Sequence, residues 1–114
     1  MTIKKESRKY KRVKENVDVK IDIPDGYNST TEFEIATSEN ISASGVLLKY
    51  DKPLKIGQTI NVSFMNPNSF DLISTKAVIV RVEFIHDDLW EFGIAFFDMS
   101  KEDEKKLDFY LTYH

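Results

Sequence analysis

The chain contains no cysteine. That excludes structural disulfides, thiolate metal sites and thiol nucleophiles at once. Its four glycines are scattered, so it has no glycine-rich phosphate loop of the kind that opens a nucleotide-binding helix. Long hydrophobic runs are also missing. The longest, Ala77–Val80 and Gly93–Phe97, are far too short to span a bilayer, and residues 1–16 lack the apolar core of a signal peptide. The expectation is a soluble, cytoplasmic protein. Histidine is scarce too: His86 lies in a turn signal and His114 is the last residue, and neither has a serine or carboxylate arranged as in a triad. His86, Asp87 and Asp88 read as solvated turn residues rather than metal ligands, so neither an enzyme nor a metal or cofactor site is expected.

Arginine is the most informative scarcity. Only three of the 16 basic residues are Arg, and two of them, Arg8 and Arg12, fall within residues 1–14. That segment holds seven bases and one acid, a charge of +6, which leaves −9 for residues 15–114. Residues 1–15 therefore read as a basic arm too charged to bury much, and residues 16–114 as one domain. A chain of 114 residues, 41% hydrophobic and 31% charged, is of globular composition and large enough to need no staple.

From Asn16 the pattern alternates. Val17, Val19, Ile21 and Ile23 share one face of a strand that ends at Pro24-Asp25-Gly26. A second strand is expected over about 31–38 with Phe33 and Ile35 inward, a third over 45–50, and a fourth through Ile60, Val62 and Phe64. In the long β-branched stretch 70–86, Val78, Val80, Val82 and Phe84 fall on one face. After a turn at 86–88, Trp90, Phe92, Ile94 and Phe96 alternate in the last strand. Ser100 then reads as an N-cap with Asp103 at the third helical position, and Leu107, Tyr110, Leu111 and His114 keep helical spacing over about 100–113. Six short strands and one helix predict an all-β antiparallel barrel or sandwich, with the helix over one end or face.

Two segments carry chemistry. Arg8 and Arg12 stand in an RxxxR spacing, flanked by Lys9 and Lys11. A guanidinium is a planar fork that grips phosphate oxygens in pairs, stacks on a flat base and bonds guanine O6 and N7 together. Asn40-Ile41-Ser42-Ala43-Ser44-Gly45 forms a polar lip between two strands, with side-chain donors and acceptors beside a glycine. The third arginine, Arg81, lies on a strand face with Glu83 two residues on, and reads first as a surface ion pair with Glu83 or a cross-strand acid.

Together these segments resemble the PilZ domain family, from Glu6 to about Leu111. The RxxxR segment before the first strand and the [D/N]xSxxG segment after the second are both complete and in order. Val80-Arg81-Val82-Glu83 and Phe92-Gly93-Ile94-Ala95-Phe96 before a terminal helix add to the similarity. The resemblance implies a six-stranded antiparallel barrel with a C-terminal helix. It also implies binding of the bacterial second messenger cyclic di-GMP, with Arg8 and Arg12 on guanines and phosphates, Asn40 and Ser42 bonding from the barrel, and Gly45 allowing close approach. Lys9, Lys11 and Arg81 would be accessory. Two departures stand out: Ser7, where many members carry another Arg, and Lys11, where many carry Pro. The expected role is a stand-alone receptor or adaptor signalling to a separate protein partner. The alternatives are a barrel binding single-stranded nucleic acid and a protein-interaction module without ligand. The acidic body and the mostly inward aromatics (Phe33, Phe64, Phe84, Trp90, Phe92, Phe96) weigh against nucleic acid.

Overall fold

The computed structural model describes residues 12–13, 17–23 and 34–113, with only the backbone described at 12, 13, 34, 35 and 39. Seven strands and one helix follow one another: β1 (Arg12–Val13), β2 (Asp18–Asp22), β3 (Glu34–Ser42), β4 (Gly45–Tyr50), β5 (Thr59–Met65), β6 (Leu72–His86), β7 (Leu89–Phe97) and α1 (Lys101–Thr112). All pairings are antiparallel. Six strands close into a barrel in the order β3-β2-β5-β6-β7-β4, sealed by the β3–β4 pairing. Closure leaves these strands no long open edge on which another chain could add. β1 is extra. Arg12 pairs with Ser42 and Val13 with Ile41, on the edge of β3 that β4 does not occupy.

Strict alternation builds the regular part of the wall. In β2, Val19 and Ile21 are buried between exposed Asp18, Lys20 and Asp22, and in β5 Ile60, Val62 and Phe64 are buried between more exposed neighbours. A period of two puts every second side chain inside. Each of these, fully buried, contributes roughly 1.5–3 kcal/mol.

β3 breaks the regular register once, and β6 does so at Val80 and again near its end, between Phe84 and His86. In β3, Ala36 and Ser38 face inward, the register with β4 slips between Ser38 and Asn40, and the next inward residue is Ile41. Glu39 is the additional residue of this bulge. In β6, Ile73, Thr75, Ala77 and Ile79 face inward, the register with β7 slips between Ile79 and Arg81, and Val82 is the next residue against the core. A one-residue slip exchanges the two faces of everything beyond it. This overturns the expectation of a common face for Val78, Val80, Val82 and Phe84. Val80 is 54% exposed, and Phe84 is 59% exposed with its ring against Trp90, centroids 5.9 Å apart. The inward side chains described on β3 are Ala36, Ser38 and Ile41; those of Phe33 and Ile35 lie outside the described residues.

The helix follows its sequence signals. Ser100 Oγ accepts from the Asp103 N–H at 3.1 Å and donates to Asp103 Oδ2 at 2.8 Å. Asp103 Oδ1 accepts from the Ser74 N–H (3.2 Å) and Lys106 Nζ donates to the Leu72 carbonyl (3.2 Å), which ties α1 to the start of β6. Leu107, Tyr110 and Leu111 are buried and join the barrel core. His114 lies outside the described residues. No helix among the described residues is long and apolar enough to cross a membrane.

Candidate functional site

The polar lip is mostly strand. Asn40, Ile41 and Ser42 end β3, Gly45 begins β4, and the turn itself is only Ala43–Ser44. The bulge at Glu39 decides which way this segment faces. With Ile41 inward, Asn40 and Ser42 belong to the outer surface; had the alternation run on unbroken through Glu39, they would face the core. They line an open depression of about 340 Å³ together with Ser44, Gly45, Val80 and Arg81. The second bulge, at Val80, places Arg81 there. The bulges at Glu39 and Val80 thus converge on one site.

Each side chain has a distinct state. Asn40 Oδ1 is shielded from solvent and accepts no hydrogen bond among the described residues. An acceptor left in that condition costs about 1–3 kcal/mol, so it is primed for a donor. Ser42 Oγ is already engaged. It accepts from the Ser44 N–H (3.3 Å), lies 3.2 Å from Ser44 Oγ and donates to the Gly45 carbonyl at 3.3 Å, stapling the two-residue turn. The Phe96 N–H donates to the Ser44 carbonyl (2.9 Å) and fixes that turn against β7.

Gly45 permits a close approach, and the neighbour the structure shows is the protein itself. A Cβ at this position would collide with the Ile94 carbonyl oxygen. The glycine is therefore needed for the seating of β4 on β7. Gly93, opposite Arg81 in the ladder, is similar in kind: a Cβ there would stand 3.3 Å from Arg81 Cβ. The sequence offered a signal for Gly93, since a glycine inside a strand pattern marks a close approach.

Arg81 forms the ion pairs read from its neighbours, and both at once. Its Nη2 donates to Glu83 Oε1 at 3.0 Å and to Glu91 Oε1 at 3.2 Å. Glu91, on β7, is the cross-strand acid. The guanidinium is half-exposed and the Glu91 side chain is only 15% exposed. Such a pair adds ~0.2–1 kcal/mol at most, but two carboxylates more than offset the guanidinium charge and hold the group in place.

Arg12 is brought to the site through its backbone, opposite Ser42. Arg8, Lys9 and Lys11 lie outside the described residues. Among the described residues no group of three or more His, Asp or Glu could hold a metal ion. The His86 ring makes a local contact instead, its Nδ1 lying 2.9 Å from the Asp87 carbonyl.

Solved structures share this architecture. A chain of the Bacillus subtilis inhibitor of motility, MotI/DgrA, aligns at a TM-score of 0.73 with 22% identity over 93% of this chain; the match spans 48%, about half, of the MotI chain. The PilZ domain of Escherichia coli YcgR with c-di-GMP aligns at 0.68 with 13% identity, covering 92% of this chain and 88% of that one. The PilZ domain of CeSA from a cellulose-synthesizing bacterium aligns at 0.63 with 14% identity, covering 89% and 94%. No curated protein sequence matches the chain. The model of the PilZ domain matches residues 6–113, nearly the whole sequence, and the chain belongs to the PilZ domain family.

Proposed function

We propose that this chain binds cyclic di-GMP in the depression between β3, β4, β6 and β7, with Arg8 and Arg12 closing over the ligand from the N-terminal side. The observation that carries the reading is the shielded, unpartnered Asn40 Oδ1 on the same surface as Ser42 and Arg81. Guanine presents N–H donors to such an acceptor, and an arginine that grips phosphate does too. The pairing of Arg12 with Ser42 starts the basic segment at the rim of the site. The E. coli YcgR domain, a structural neighbour, is seen with c-di-GMP.

The residues divide the work by charge. Arg8 and Arg12, in a segment of +6, supply the forks for two phosphates and two guanines. Arg81, paired with both Glu83 and Glu91, supplies a flat surface for a base rather than positive charge. The body, at −9, disfavours a long polyanion and so weighs against nucleic acid. Ordering the arm on the ligand costs entropy and couples binding to a change in shape, which a separate protein can read. MotI, a structural neighbour that this chain matches over about half its length, is an inhibitor of motility.

Calorimetry with cyclic di-GMP tests this. The expected result is micromolar or tighter binding, weakened at least 100-fold by Arg8→Ala or Arg12→Ala. No heat at high ligand concentration with the unaltered chain would refute it.

A further inference from the structure

A second cavity, of about 390 Å³, lies on the other side of the Ala43–Ser44 turn. Ala43, Phe96, Met99 and Leu107 make an apolar floor. Asp98, Glu104 and Asp108 make an acidic rim, and all three are exposed. Asp98 meets Lys76 at 3.5 Å; Glu104 and Asp108 have no ion pair among the described residues. The helix dipole accounts for an acid at Glu104, in the first turn of α1. It does not account for Asp108, four residues on, where the dipole no longer favours an anion and the like charges repel. The last turn carries no basic residue to offset it.

The course of the chain points to the occupant. β1 is antiparallel to β3 and begins with Arg12 opposite Ser42, at the end of β3 next to Ala43, and Ala43 is part of the cavity. Tyr10 is two residues from Arg12, a span of about 7 Å when extended. It is the only large apolar residue between Lys4 and Arg12, and Lys9 and Lys11 flank it.

We infer that this cavity is the docking site of the chain's own basic arm, with Tyr10 on the apolar floor and Lys9 and Lys11 against Glu104 and Asp108. An aromatic body between two cations matches an apolar floor rimmed by acids. The docking stands without any nucleotide. Its consequence rests on the reading above: the arm cannot occupy this cavity and reach across the β3–β4 depression at once. Cyclic di-GMP would then have to compete with Glu104 and Asp108 for the arm, and release would uncover an acidic, apolar-floored surface.

NMR of the full chain tests both parts. Without ligand, nuclear Overhauser contacts between the Tyr10 ring and the Met99 and Leu107 methyl groups are expected. Tyr10→Ser and the double variant E104K/D108K should abolish them, with the milder E104Q/D108N as a control that keeps the fold. Absence of these contacts in the unaltered chain, or their persistence in E104K/D108K with a dispersed spectrum, overturns the docking. Contacts seen only between differently labelled copies would overturn the intramolecular form. Cyclic di-GMP should remove the contacts, and E104K/D108K should bind it at least threefold tighter; unchanged affinity refutes the competition. If the contacts are present but no ligand binds, the docking survives and the ligand assignment fails.

Discussion

β5 and β3 face each other across β2, and they treat the same period of two differently. β5 alternates from Thr59 to Met65 without a break and puts Ile60, Val62 and Phe64 inside. β3 alternates to Ser38, takes in one extra residue and resumes out of phase. The first arrangement makes a wall. The second makes a wall whose last residues, Asn40 and Ser42, are turned outward as a polar surface. β6 combines both, regular from Leu72 to Ile79 and shifted beyond. Regular alternation supplies stability; a single slip supplies a site on the same strand.

Variants can break this contrast from either side. The largest loss of stability belongs to the regular half. Phe64→Ala empties a fully enclosed position and should cost about 3–5 kcal/mol in chemical denaturation, while the folded fraction binds ligand as before. Deletion of Glu39 strikes the other half. It removes the extra residue and makes the ladder with β4 regular, yet Ile41 stays inward and Asn40 and Ser42 stay outward, so cyclic di-GMP binding in calorimetry should be retained to within a few-fold; abolished binding by the folded variant would show that the local shape of the bulge, and not the facing of the strand, sets the site. Gly45→Ala should cost about 1–3 kcal/mol, because β4 must move off the Ile94 carbonyl. Ser38→Ala sits just before the bulge and removes the hydroxyl that accepts from the Val17 N–H at 3.0 Å, a loss of about 1–3 kcal/mol. Smallest is Arg81→Ala, with under about 1 kcal/mol in stability since its ion pairs are exposed. Its measurable effect should be a several-fold weaker affinity from loss of the base platform.

These positions also show where periodicity stops being informative. Val17 to Ile23 could be placed from alternation, as could Phe92 and Ile94, and the helix start at Ser100 from its cap, because each depends on neighbours within a few residues. Val80 and Phe84 could not. They satisfy the alternation from Val78 to Phe84, yet Val80 is the extra residue of a slip, and Phe84, on the face of Val82, lies where β6 runs past the core. Nothing local in Ile79-Val80-Arg81 announces that slip, since it depends on the partner strand. Ser42 was legible as a polar group beside a glycine, but its use as the staple of the Ala43–Ser44 turn was not. The resemblance of the two motifs was legible throughout, because it rests on residue identity and order.

The sequence by itself determined the composition of each part: a +6 segment with two of three arginines, a −9 body of alternating strands, one capped helix, and the two motifs of a family. Those features are local, or are counts, and need no knowledge of which strand meets which. The tertiary structure alone decided that β3 closes on β4, and that two bulges turn Asn40, Ser42 and Arg81 onto one outer surface. It also decided that Glu91 joins Glu83 on Arg81 and that Gly45 is required by the Ile94 carbonyl. Each of these follows from the register between strands distant in sequence, which hydrogen bonding and burial fix together only once the barrel has closed.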